Sequence, residues 1–100
     1  MLHVENAKYI DGYKIDIMFD DGTRHVVDLE SVVFSDGRKI VSELQELNLF
    51  KDFSIQRHTL AWKNGLDFAP EFLKSRIVSA RRADKGDKGG YNGYVEKINA

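Results

Sequence analysis

A chain of 100 residues, 42% hydrophobic and 31% charged, has the length and composition of one globular domain, which excludes a membrane-embedded or wholly disordered chain. The absence of cysteine excludes a disulfide framework, thiolate zinc sites and a cysteine nucleophile, and fits a reducing compartment. The net charge of −1 divides unevenly: residues 1–73 carry 8 Lys/Arg against 13 Asp/Glu, a net of −5, and residues 74–100 carry 7 against 3, a net of +4.

The first ten residues include His3, Glu5, Asn6 and Lys8 and hold no apolar run of signal-peptide length. No later stretch approaches the roughly 18 apolar residues that mark a membrane span. A cytoplasmic protein without membrane contact is therefore expected. Val4 to Tyr9 reads as a short first strand. From Tyr13 to Phe19 the alternation is clean, with Tyr13, Ile15, Ile17 and Phe19 on one face and Lys14 and Asp16 on the other, the period of a half-buried strand. Asp20-Asp21-Gly22 then predicts a tight turn, its glycine supplying positive φ. Thr23 to Leu29, rich in β-branched residues, completes the hairpin.

Glu30 to Lys39 reads as a connection, with Ser35-Asp36-Gly37 as a loop signal. Ile40, Leu44 and Leu47 recur at helical spacing, so one short amphipathic helix is predicted over 40–47. Ser54 to Trp62 predicts a second hairpin with its turn near Arg57-His58, and Asn64-Gly65 a further tight turn. A last helix is predicted from Pro70 to about Arg82. Proline suits its first turn, Glu71 complements the positive helix end, and Arg81 and Arg82 suit the other. Beyond Ala83 the stretch 84–90 has no apolar residue and reads as a linker. Tyr91, Tyr94, Val95 and Ile98 then restore apolar character.

These elements predict an α+β fold: a small antiparallel sheet of about four to five strands in two hairpins, with one or two short helices. Residues 1–82 would form the domain and 83–100 a linker and tail.

Two stretches carry a family resemblance. One is the hairpin from Tyr13 through Phe19-Asp20-Asp21-Gly22 to Val27-Asp28-Leu29. The other runs from Leu60-Ala61-Trp62 through Lys63-Asn64-Gly65-Leu66-Asp67-Phe68 to Ala69-Pro70-Glu71-Phe72-Leu73. Together they resemble a bacterial family catalogued as "domain of unknown function 2442", over about residues 4–75, with no counterpart for the tail. The resemblance implies a small antiparallel sheet with short helices and no established activity. It also implies genes lying beside another small protein, as in toxin–antitoxin pairs. Some members precede a helix-turn-helix module, and none is expected after residue 80 here.

No residue set predicts catalysis. His3, His25 and His58 fall in separate elements without ligand spacing, so no metal site and no cofactor is expected. Asp20, Asp21 and Asp28 are explained by turn chemistry before acid–base or cation chemistry. Gly86 to Gly90 lacks the hydroxyl residue and preceding strand of a phosphate loop. Two surfaces remain as candidates. The first is an interaction surface of Trp62, Asn64 and Asp67 with the tail residues Tyr91, Tyr94, Val95 and Ile98. The tail would serve a partner or add a strand to a sheet edge. The second is a basic patch of Lys74, Arg76, Arg81, Arg82, Lys85 and Lys88, which could meet nucleic-acid phosphates. Asp84, Asp87 and a pI near 6.3 dilute that patch. The leading expectation is a non-catalytic protein-interaction module, antitoxin-like or regulatory, whose partner is a small protein encoded beside it or a second copy. A nucleic-acid-binding regulatory domain is the alternative.

Overall fold

The structure, a computed structural model, describes residues 1–78. Its first half is a three-stranded antiparallel sheet of β1 (Val4–Asp11), β2 (Lys14–Phe19) and β3 (Arg24–Asp28), with β2 in the centre. The alternation in β2 sets its faces. Ile15, Ile17 and Phe19 are wholly buried on the inner face, and Ala7, Tyr9, His25 and Val27 lie opposite them on the neighbouring strands. The β2–β3 turn is closed twice: the Phe19 amide donates to the Thr23 carbonyl, and the Gly22 amide to the Phe19 carbonyl. Gly22 sits at φ 89°, where a side chain would strain the backbone. An Asp21 carboxylate oxygen accepts from the Thr23 amide at 2.9 Å and fixes the turn locally.

The helical segment departs from the sequence expectation at both ends. Glu30 to Ser35 forms a helix, α1, where a loop was predicted, and the Glu30 amide at its start donates to an Asp28 carboxylate oxygen. The single helix predicted over 40–47 is broken into α2 (Lys39–Ser42), a 3₁₀ turn (Glu43–Gln45) and α3 (Leu47–Phe50). Val41, Leu44 and Phe50 are buried, whereas Leu47 is 38% exposed. The breaks are tolerated because later side chains take backbone acceptors there. The Asn64 amide group donates to the Ile40 carbonyl at 3.1 Å and to the Glu43 carboxylate at 2.8 Å. The Trp62 indole donates to the Phe50 carbonyl at 2.8 Å.

The second hairpin pairs β4 (Ser54–Gln56) with β5 (Thr59–Ala61) as predicted. Its turn residues Arg57 and His58 hold φ of 51° and 68° without glycine. From β5 the chain turns through Trp62 and Gly65 (φ 96°) and bridges back to Ala61 at Asp67. Pro70 then opens α4 (Pro70–Lys74) at its first position. This helix stops at Lys74 instead of running towards Arg82. The Arg76 amide closes its last turn onto the Leu73 carbonyl, and β-branched Ile77 and Val78 return along the free side of β3. There the Asp28 amide donates to the Arg76 carbonyl and the Val78 amide to the Val26 carbonyl. Extended pairing wins because it satisfies backbone groups at the sheet edge with residues that favour strands.

One core lies between the inner sheet face, the short helices and β5. Trp62 is its hub, 3% exposed, with Phe50, Phe53 and Phe68 within 6.2 Å of its ring.

Candidate functional site

Of the residues singled out by sequence, Trp62 is spent on the core and Asn64 on bracing the helical breaks, where it also accepts from the Leu66 amide. Asp67 is exposed and pairs with Arg57 at 3.4 Å. Trp62 and Asn64 are thus structural, and the structure does not gather these three into one open surface. Of the basic residues, Lys74 forms an ion pair with Asp21 at 2.6 Å, and Arg76 donates to the Ser31 hydroxyl at 2.9 Å. Arg81, Arg82, Lys85, Lys88, Tyr91, Tyr94, Val95 and Ile98 lie outside the described residues.

Two of the three histidines, expected to stay apart, come together. The His3 and His58 rings stack at 4.1 Å with an interplanar angle of 12°. The Val4 amide donates to the His58 carbonyl, so β1 itself delivers His3 to the Arg57-His58 turn. Asp20 lies beside them, its carboxylate 3.5 Å from His3 Nδ1. Among the described residues no group of three or more His, Cys, Asp or Glu could hold a metal ion.

A feature the alternation did not reveal is Asp16. It points to the outer sheet face, as the pattern says, yet it is 2% exposed. Arg24, from the neighbouring strand, covers it with Nε and Nη2 donating at 3.0–3.2 Å. Charge-assisted bonds of this geometry offset the desolvation of the carboxylate. Elsewhere, charge partners shift exposed groups. Lys74 and Thr23 hold the Asp21 carboxyl far below the usual carboxylate range. Arg38 lowers Asp36 and is itself raised by it.

Among the described residues, the one large aromatic left open is Phe34, on α1. Val32 and Val33 of that helix turn into the core, and Phe34, next in sequence, is 53% exposed. It rests edge-on against Tyr13 at 5.3 Å, whose hydroxyl is anchored on the Gln45 carbonyl at 2.7 Å. Phe34 borders an open groove of about 650 Å³ between α1 and the returning segment 75–78, lined also by Asp28, Glu30, Arg76 and Ile77. The open Phe34 ring thus stands beside the charged side chains of Asp28, Glu30 and Arg76. The sequence pattern did not point to it, because the Ser35-Asp36-Gly37 loop signal is the feature that stands out between Glu30 and Lys39. The signal available was an apolar Val32-Val33-Phe34 run ahead of the Ser35-Asp36-Gly37 stop.

Among the described residues no helix is long and apolar enough to cross a membrane. A family model described as "Protein of unknown function (DUF2442)" matches residues 4–79. No curated protein and no solved structure matches the chain.

Proposed function

The chain belongs to the family described as protein of unknown function (DUF2442), and from that premise we propose that it is a non-catalytic protein-interaction module that docks a partner protein on the groove beside α1. The observation that carries this reading is Phe34, half-exposed and braced from behind by Tyr13. A large apolar ring held against solvent has no role in the domain's own core, while aromatic anchors in the centre of a contact supply a large share of binding energy. The partner proposed is a small protein encoded beside this one, with this chain as the regulatory, antitoxin-like member. The engagement of Lys74 by Asp21 and of Arg76 by Ser31 gives the nucleic-acid alternative no support from these two residues.

The test is co-expression with the neighbouring gene product, followed by size-exclusion chromatography with light scattering. The reading expects a complex that survives purification and is lost in Phe34→Ser. A neighbour that elutes alone beside the folded wild-type chain overturns it.

A further inference from the structure

The returning segment leaves one residue with its backbone turned away from the sheet. Val27 and Ile77 are antiparallel bridge partners, and the two bonds across them run from the Asp28 amide to the Arg76 carbonyl and from the Val78 amide to the Val26 carbonyl. In that arrangement the bridge residues themselves do not bond each other, so Ile77 directs its own N–H and C=O to the far side. Neither group has a hydrogen-bond partner among the described residues. Ile77 is one of the residues that line the same groove as Phe34. An unpaired strand edge is a template for another strand.

The groove also has a sign. Asp28 and Glu30 contribute two carboxylates against the single guanidinium of Arg76. Neither acidic residue forms an ion pair among the described residues. Arg76 is turned to Ser31 and over the Phe72 ring at 6.0 Å. Its Nε is buried without a partner among the described residues, a donor that a carbonyl of an incoming chain could satisfy.

We propose, resting on the reading of this domain as a protein-binding module, that the groove receives an extended segment of the partner protein as an added strand at Ile77, carrying an apolar side chain onto Phe34 and a lysine or arginine to Asp28 and Glu30. Main-chain hydrogen bonds give such strand addition its affinity, and the pockets for alternate side chains give it selectivity. The charge pair sets preference and association rate more than affinity.

The experiment is an amide NMR titration of the full-length chain with a synthetic hexapeptide alternating lysine with valine or phenylalanine. The controls are the same peptide with glutamate for lysine, and one N-methylated at alternate backbone nitrogens. The expected result is a saturable shift of the Ile77, Ser31 and Phe34 amides with the lysine peptide. The glutamate peptide should bind at least about tenfold more weakly, and the N-methylated peptide should leave these amides unmoved. Glu30→Gln, an exposed change, should narrow the lysine-over-glutamate preference without altering the fold. Equal response to all three peptides overturns the proposal. So does an Ile77 amide already protected from exchange in the free chain, which would mean that this chain or a second copy occupies the edge. If the encoded neighbour binds yet perturbs none of these amides, the strand-addition proposal fails while the protein-interaction reading stands.

Discussion

At the scale of single residues, three side chains hold the domain by different physics. Trp62 fills the centre of the core and ties α3 to the second hairpin through its indole bond to the Phe50 carbonyl. Trp62→Ala removes both, at a cost of about 3–5 kcal/mol, and a fall in Tm of at least about 12 °C is expected by calorimetry for a domain this small. Asp16 is a buried carboxylate whose cover, Arg24, is itself 36% exposed, so the pair is partly screened. Arg24→Leu strands the carboxylate and should cost about 1–3 kcal/mol in urea denaturation; adding Asp16→Asn should recover part of that loss. Asp21 sets a pH dependence. Its carboxyl is held down by Lys74 and Thr23 in the folded chain, so the folded state holds this proton less readily than the unfolded state. The stabilisation is complete above the ordinary Asp pKa of about 4 and is lost as pH falls below it. Wild type should therefore lose more stability than Asp21→Asn between about pH 5 and pH 2 in parallel thermal melts.

At the scale of elements, the strands were legible and the helices only in part. Period-2 alternation in β2 places Ile15, Ile17 and Phe19 in the core because a central strand has one face to bury. The same pattern could not show that Asp16 is buried on the opposite face, since that burial comes from a side chain eight residues away on another strand. Apolar spacing over 40–47 suggested one helix, but Asn64 takes the Ile40 carbonyl and Glu46 adopts extended backbone at ψ 112°, so the stretch is split. The basic end expected of a helix reaching Arg82 gave way to the β-branched pair Ile77-Val78, which pairs with β3 instead. The Arg57-His58 turn was placed correctly, though its two left-handed residues are of types that pay for that backbone. The double change Arg57→Asn with His58→Gly suits such a turn and should raise stability by up to about 1 kcal/mol in equilibrium denaturation. A net loss instead would assign the His3–His58 stack more stabilisation than the turn loses to strain.

At the scale of the whole molecule, Phe34, the Ile77 backbone without a partner among the described residues, and the Asp28 and Glu30 carboxylates lie on one side, where α1 meets the segment 75–78. Family membership was readable from the two turn motifs because glycine and tryptophan positions are dictated by backbone and core. The groove was not readable, since it arises from an unpredicted helix and an early helix end brought together by the fold. The most direct measurement is isothermal calorimetry of the full-length chain against the protein encoded beside it, for wild type and Phe34→Ser, with thermal melts of both. The interaction-module reading requires measurable binding by wild type and a loss of at least about tenfold in affinity for Phe34→Ser, with the two melts coinciding. Equal affinity in the two chains, or no heat of binding from a folded wild type, would contradict it.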